Sequence, residues 1–592
     1  MKSKKWLGLC LILILSFLAY YPCLKGEFLS DEYLLILDNP RIQYPSGFRD
    51  FFLEKFWSGK FRGIYYRPLV LLSYSFCWKL CKDNPWGYHL FNLLVHLGVV
   101  LLFFFLAQRL LGKPALLAGA IFAFHPAHSE AVCWIPARTD LLAGFFVLFA
   151  WVLWLKREEK QGLKRIVIYL GAGISYLAGL FSKEMAITLP AFLFIYDWWQ
   201  ERENGLKKVL KKNWIGYIIL GLVLVIYLVL RELALSRPGP PPAVNFLSQF
   251  PFWKKPLVIA RVLLEYLRLG LFPYPNYLDW YYTNRFSQNY PLALFLASGV
   301  FWLGVIFWLI RAWRKRNSAG LFAGLWLASL LPVMHIISFP TAMAERFFYL
   351  PGIFFSLGLA WILERYFLQT KLAKGIIFSL LGFYFLLSFF SARHYQTRLQ
   401  YFREGVRQTP NEKIIHNYLG QAYLERGWLE NAEREFLWAI SLEPNYVEAW
   451  NNLGLVKIRR GDLESAEKAL KTALSINPNY EWSHYNLGLV LKRKGRSEEA
   501  GREFFLAYQL SGFSPKAGYQ LAEILFEQGE ISQAKSLLDQ ILQNAGWHLA
   551  SIKLRLKIAL KEKDRGKILS LLELAEKYQL KDPLIEEIKN RF

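Results

Sequence analysis

Apolar runs of roughly 20 residues, the length that crosses a bilayer, recur along the first two thirds of the chain and then stop. They cover 6–24, 87–111, 114–132, 138–156, 165–182, 186–200, 213–232, 290–311, 319–337, 346–365 and 373–391, which predicts about eleven spans. One further apolar stretch, 256–273, carries Arg261, Glu265 and Arg268. The Lys/Arg clusters decide its place. If it lies on or dips into the outer face, the clusters at 2–5, 109–113, 156–165, 201–212, 311–316 and 364–374 all fall on the cytoplasmic side, as positive charge flanking membrane helices does. The N-terminus is then inside and the C-terminus outside. The long outer loops are 25–86 and 233–289. In the first, Phe48, Phe51, Phe52 and Phe56 recur at helical spacing among Arg49, Asp50, Glu54 and Lys55, a pattern that predicts a helix lying in the interface. The second holds the breaker run Arg237–Pro242 and the aromatic triplet Trp280-Tyr281-Tyr282, which suits the headgroup level.

After Ala392 the pattern becomes that of soluble helix with a fixed period. Gly420, Gly454 and Gly488 are 34 residues apart, with Ala522 next. Gly427, Gly461, Gly495 and Gly529 keep the same step, as do Ala432, Ala466, Ala500 and Ala534. Pro444, Pro478 and Gly512 close the second helices. A 34-residue helix-pair period with small residues at the crossings resembles the tetratricopeptide repeat. Past about 545 the columns lapse while helical patterning persists, which predicts a cap. The domains expected are therefore 1–392 in the membrane, 393–545 as repeats and 546–592 as capping helices. The fold class is all-α, a polytopic membrane bundle followed by an α-solenoid.

Composition agrees with that division. The 592 residues are 54% hydrophobic, with a mean hydropathy of +0.21, too apolar for one soluble domain. The net charge of +25 raises nucleic acid as a partner, but the cations flank the spans and no nucleic-acid motif accompanies them. Cys10, Cys23, Cys77, Cys81 and Cys133 form no CxxC pair and no zinc-finger spacing. The start, Lys2–Lys5 followed by 6–24, is similar to a signal peptide but lacks a small-residue cleavage site, so it reads as an uncleaved first helix.

Four polar clusters fall at the outer ends of spans: Asp31-Glu32; Tyr65-Tyr66-Arg67-Pro68 with His89, Asn92 and His96; His125, His128 and Glu130 with Arg138 and Asp140; and Lys183-Glu184 with Glu345-Arg346. Charge this dense beside membrane helices is costly unless it lines a polar cavity. Several bland alternatives stay open. Asp31-Glu32 suits a solvated loop start, and His89 and His96 suit core histidines bonded to carbonyls. Lys183-Glu184 suits a local ion pair, and Arg346 an interface anchor. His125, His128 and Glu130 are also of zinc-ligand type, although Pro126 spoils the helical His-Glu-x-x-His arrangement. No metal is assigned, and a divalent ion stays possible on this reading. No Gly-rich phosphate loop occurs.

Taken together, the early acid pair, Tyr66-Arg67-Pro68, Gly87–Asn92, His125–Val132, Arg138-Thr139-Asp140, Ser182–Met185 and Ala344–Phe347 resemble the transmembrane and tetratricopeptide-repeat-containing O-mannosyltransferases of the GT-C superfamily. Where that family usually has Asp-Asp in the first loop, this chain has Asp31-Glu32. The resemblance implies transfer of a hexose such as mannose from a polyprenyl-phosphate donor to a protein hydroxyl on the outer face, with no further cofactor. It implies Asp31 or Glu32 as general base. Arg138, Lys183 and Arg346 are then the cations on the donor phosphate. Arg67, His89, Asn92, His96, His125, His128, Glu130, Asp140, Glu184 and Glu345 would shape the sugar or acceptor pocket. In the repeats, Asn452, Asn486 and Gln520 share a column like the amide ladders that hold extended peptides, while Tyr418 breaks it in the first unit; a solvated polar face fits them equally. The partners expected are membrane lipid, the lipid-linked sugar and an acceptor or partner protein. The location expected is a bacterial inner membrane, with the repeats periplasmic or extracellular. The rival readings are a GT-C transferase acting on a polysaccharide or glycolipid, and a non-catalytic scaffold that assembles an envelope complex.

Overall fold

The structure is a computed structural model, and it describes residues 2–45, 47, 49–52, 65–201, 205–235, 246–273, 282, 291–315, 317–334, 342–578 and 580–592. Among the described residues there is helix and turn but no strand. Two compact units divide the chain, 1–409 and 410–592.

The first unit contains α1 (Lys2–Tyr20), α2 (Pro68–Cys81), α3 (Pro85–Leu110), α4 (Ala115–Ala123), α5 (Arg138–Lys156), α6 (Gly162–Leu180), α7 (Leu189–Gln200), α8 (Gly205–Leu235), α9 (Lys255–Leu271), α10 (Leu292–Arg314), α11 (Ser318–Leu330), α12 (Tyr349–Tyr366), α13 (Lys371–His394) and α14 (Arg398–Gln408). Eight helices among the described residues are long and apolar enough to cross a membrane. The other three predicted spans are shorter. α4, α7 and α11 have 9, 12 and 13 residues, so at about 1.5 Å per residue none reaches the ~30 Å of a hydrocarbon core. The break after α4 has a local cause: His125 is held extended ahead of Pro126, as the residue before a proline tends to be. The chain then makes a short turn at Pro126–His128 and a five-residue helix at Ser129–Cys133. α7 begins just after the turn Glu184–Thr188, and α11 runs into the turn Leu331–Val333. Apolar helix gives way to polar backbone where the motifs lie. The sequence reading places Pro68–Cys81 in a loop, whereas the structure has α2 there. Of the predicted interfacial helix only Arg49–Phe52 is described, as one turn; Phe48 and Phe56, the run 237–242, Trp280 and Tyr281 lie outside the described residues. α9 is a 17-residue helix over the ambiguous stretch.

The second unit is a solenoid of helix pairs. First helices are α15 (Lys413–Glu425), α17 (Val447–Arg460), α19 (Glu481–Arg493), α21 (Pro515–Glu527) and α23 (Leu549–Glu562). Second helices are α16 (Leu429–Leu442), α18 (Leu463–Ile476), α20 (Ser497–Leu510), α22 (Ile531–Asn544) and α24 (Arg565–Lys577), with α25 (Pro583–Arg591) at the end. The 34-residue step does not stop at 545, since α23 and α24 begin 549 − 515 = 34 and 565 − 531 = 34 residues after their predecessors. Each turn inside a pair needs a left-handed residue. Gly427, Gly461, Gly495 and Gly529 supply it at φ 74, 82, 76 and 84°, and Lys563 adopts it at φ 57° in the fifth pair. The small-residue columns lapse there while the backbone repeats.

Candidate active site

After α1 the chain makes the turn Tyr21–Lys25, leaves it through an extended Gly26, passes 27–29 without regular structure and turns again at Asp31. Asp31 is half-buried, and its backbone carbonyl accepts the Leu35 N–H at 2.9 Å. Glu32 is 1% exposed. Its Oε2 accepts the N–H groups of Ser30 (2.8 Å) and Leu29 (3.2 Å), while Oε1 has no hydrogen-bond partner in the protein. Burial pushes the Glu32 carboxyl up to about 7, against the pull of those N–H bonds. The loop is braced by residues from the end of the unit's sequence. The Gln396 carbonyl accepts the Glu27 N–H at 2.8 Å, Glu27 Oε2 accepts the Arg398 N–H at 3.2 Å, and the Arg398 guanidinium lies 5.0 Å from the Tyr33 ring centroid.

Helix α3 carries Tyr88, His89, Asn92 and His96, all buried. Asn92 Nδ2 faces the carbonyls of Val132, Trp134 and Ile135 at 3.3–3.5 Å, and its Oδ1 accepts Arg138 Nε at 2.8 Å. One amide thus fastens the broken segment after α4 to α3. Arg138, expected to hold a donor phosphate, is placed otherwise. It is 0% exposed, donates to Ser73 Oγ (3.1 Å), Cys77 Sγ (3.4 Å) and the Tyr88 carbonyl (3.0 Å), and lies against Phe91 and Tyr74 at 4.4 and 4.6 Å. It brackets α2, α3 and α5. The Tyr74 hydroxyl donates to the Ile135 carbonyl at 3.3 Å, and its ring lies against Arg138.

Three ion pairs form the centre of the site. Arg67 Nη2 meets Glu184 Oε2 at 2.8 Å. Lys183 Nζ donates to both oxygens of Asp140 at 2.6 Å. Glu130 accepts from the Arg346 guanidinium and, at 2.9 Å, from the Arg346 N–H. Aromatic faces back every cation: Tyr65 lies 4.4 Å from Arg67, Phe347 4.6 Å from Lys183, and Trp134 4.9 Å from Arg346, contacts that favour desolvated cations. The three cations converge. Burial holds the Lys183 ammonium down at about 8, with Arg67 and Arg346 acting in the same direction and Asp140 opposing them. Burial raises the Glu184 carboxyl, but Arg67, Lys183 and a backbone N–H together bring the net shift downward; Glu184 Oε1 has no hydrogen-bond partner in the protein. Glu345 accepts from Tyr282 at 3.2 Å, and Tyr282 in turn receives Arg268 at 3.5 Å. Arg268 and Arg261 both pair with buried Glu265. Tyr266 of α9 lies within reach of Arg346, Glu130 and Asp140.

The histidines form a second layer. His96 Nδ1 meets the Tyr349 hydroxyl at 2.7 Å, and His125 Nε2 meets the Gly270 carbonyl at 3.1 Å. His128 lies between Phe122, Phe348 and Tyr349, and neither ring nitrogen has a hydrogen-bond partner in the protein. Gly352 makes room for it, since a Cβ there would stand 2.6 Å from His128 Cε1. The His125 and His128 rings are 5.4 Å apart and Glu130 is engaged by Arg346. Among the described residues no three His, Cys, Asp or Glu side chains are grouped as a metal ion would require. Sequence reasoning missed Ser73, Tyr74, Trp134, Tyr266, Tyr282 and Tyr349; only their nearness to the motifs, as with Trp134 and Tyr349, offered a signal.

In the repeats, Asn452 and Asn486 are 6% and 5% exposed and bond to other amides. Asn452 Nδ2 donates to Asn417 Oδ1 (2.8 Å), Asn451 Nδ2 to Asn452 Oδ1 (3.2 Å) and Asn486 Nδ2 to Asn451 Oδ1 (2.9 Å). The ladder joins consecutive units, and it passes through Asn417 beside Tyr418. Gln520 is half-buried.

The architecture is thus a polytopic membrane bundle with its polar motifs gathered at one set of helix ends, followed by a helix-pair solenoid. A tetratricopeptide (TPR) repeat model matches residues 456–495. A Caenorhabditis elegans protein O-mannosyl-transferase is 25% identical over 75% of this chain and 64% of its own length. Protein O-mannosyl-transferase Tmtc2 of Drosophila melanogaster is 30% identical over 45% of this chain and 29% of its own, and TMTC2 of Homo sapiens 30% over 32% and 24%. Among solved structures, a chain described as "Functional Characterization of Pseudomonas Aeruginosa pilF" covers 32% of this chain and 87% of itself, at 20% identity and a TM-score of 0.29. The chain is thus similar to proteins named protein O-mannosyl-transferases, and it spans less than two thirds of the length of these relatives.

Proposed function

We propose that this protein is a membrane glycosyltransferase that moves a hexose, mannose by analogy with its relatives, from a polyprenyl-phosphate donor to a protein hydroxyl. The observation that supports this reading is the convergence of Arg67, Lys183 and Arg346, each buried or nearly so, each against an aromatic face and each paired with a carboxylate. Such a trio suits an anionic group whose charge grows as it leaves. Arg67 takes the phosphate-facing place first given to Arg138, which instead fixes the geometry. Asp31, the more exposed acid of the loop, accepts the acceptor hydroxyl's proton. The acceptor oxygen bonds to the sugar's anomeric carbon, and the bond from that carbon to the carrier phosphate oxygen breaks. Glu32 positions Asp31 through its bonds to the Leu29 and Ser30 N–H groups. Transfer takes place at the outer face, and the repeats lie on the same side and engage acceptor or partner proteins.

The test is a comparative mass analysis of glycoproteins and glycolipids from cells carrying wild type, a deletion, or Asp31→Asn at equal expression. Loss of one hexose from the same proteins in both mutants is the expected result. Loss in the deletion alone would move the base, and no change in either would overturn the reading. A reporter fused after Phe592 tests the side of the membrane.

A further inference from the structure

The outer seams between repeats are closed by a recurring ionic staple. At the first seam Arg460 pairs with Glu430 (3.3 Å) and Glu433. At the second, 34 residues on, Lys494 pairs with Glu464 (2.7 Å) and Glu467 (2.8 Å). At the third, the same columns hold Glu498, Gly501 and Gln528. The first acid remains, the second is a glycine and the cation is an amide. Arg496, which also reaches Glu467 at 3.0 Å, has Glu530 as its successor in the column.

At this seam a groove of about 900 Å³ opens, with Glu498, Gly501 and Gln528 among its lining residues. Apolar side chains line it, among them Leu521, Ile524 and Leu525 of α21 and the half-exposed Phe505 and Phe513. Arg502 is the one cation among the lining residues, and Glu498 the one acid. The small residue leaves the groove open without a steric need for it. A Cβ at 501 would meet only Ile524 and Leu521, at 3.8 and 3.9 Å, an ordinary contact, so a larger residue would fit.

We propose that this third seam is a docking groove for a partner polypeptide segment that carries a Lys or Arg flanked by apolar side chains. The cation takes the place of Arg460 and Lys494 in the other seams by pairing with Glu498, and its apolar neighbours cover Phe505, Leu521 and Leu525. Charge complementarity selects this occupant, because the missing element of the staple is the cation while one of its acids remains. The groove is independent of the transfer chemistry.

The test uses full-length protein in neutral-lipid nanodiscs and three fluorescein-labelled peptides, Ser-Leu-Phe-X-Leu-Phe-Ser, with X as Lys, Gln or Glu. Wild type is expected to bind the Lys peptide at least tenfold more tightly than the Glu peptide, by fluorescence anisotropy. Glu498→Gln should bring the Lys peptide down to the level of the Gln peptide. The double variant Gly501→Glu/Gln528→Lys rebuilds the staple and removes a glycine from a helix interior. It should weaken the Lys peptide at least tenfold while raising the melting temperature. Equal binding of the Lys and Glu peptides, binding unchanged in the double variant, or no binding of any peptide to wild type would each overturn the proposal.

Discussion

At the two ends of helix α5 the chain buries charge in two ways. Past its last residue, Asp197 accepts from the Arg157 guanidinium, Asn213 Nδ2 (2.7 Å), Tyr217 Oη (2.8 Å) and Trp154 Nε1 (3.2 Å). One carboxylate there is saturated by four donors drawn from or beside α5 and α8, with α7 supplying the acid itself. At the first turn of α5 Asp140 belongs to a group of three ion pairs, Lys183–Asp140, Arg67–Glu184 and Arg346–Glu130, and nearby a carboxyl oxygen each of Glu32 and Glu184 and the ring nitrogens of His128 have no hydrogen-bond partner in the protein. Both ends bury acids against cations, so the presence of charge does not separate them. Saturation does. A buried polar group is ordinarily paired, so a full set of bonds marks a clip and spare capacity marks a place for a ligand.

The contrast breaks most sharply with Asp31→Asn. Transfer from polyprenyl-phosphate mannose to an acceptor peptide should fall about 10²–10⁴-fold, the usual loss on removing a general base, with the melting temperature unchanged; retained transfer would remove Asp31 from the chemistry. Asp197→Ala should do the reverse. It strands buried Arg157 and costs about 3–5 kcal/mol of stability, read as a lowered melting temperature, while the kcat of the folded fraction stays at the wild-type value. Arg67→Lys keeps the charge and loses the fork, so transfer should drop about 10–100-fold, largely through a raised KM for the donor. Gly352→Ala pushes a Cβ against His128 and should cost about 1–3 kcal/mol, with a fall in transfer that Asp197→Ala lacks. The smallest effect is a pH dependence. Glu32 holds its proton up to about 7 in the fold but only to about 4.5 as a free carboxyl. Between those values the folded state binds more protons, so this contribution to stability is present at low pH and is lost as pH rises from about 4.5 to about 7. Glu32→Gln should flatten melting temperature against pH over that window, and an unchanged slope would show that Glu32 is not the group responsible.

Much of this was legible along the chain because it is written in local pattern. Spans declare themselves by apolar length, and the repeats by glycines in turns and alanines at crossings. What failed to show was non-local. Lys563 takes the left-handed turn that glycine takes in four other units, and Ile568 stands in the alanine column, so the fifth pair has no sequence column although its backbone keeps step. Arg138 is the residue type that binds phosphate and equally the type that braces a core. Its own neighbours in the chain do not tell the two apart, since its partners Asn92 and Ser73 lie 46 and 65 positions away. The acid loop, the Arg-Pro motif and the Lys-Glu motif were visible as polar clusters, but their pairing into Arg67–Glu184 and Lys183–Asp140 depends on which helix ends adjoin, and no periodicity encodes that.

The strap from Gln396 and Arg398 to Glu27 and Tyr33 bears on how such a protein could be cut and recombined. A joint at Ala392, where hydropathy changes, would leave the acid loop without its brace, so grafting a foreign repeat array there would also disturb the loop that bears Asp31. A joint at Thr409, where the first compact unit ends, leaves the strap intact. A foreign array joined beyond α14 would leave the brace of the acid loop in place, so the stretch 393–409 belongs with the membrane unit in any such graft.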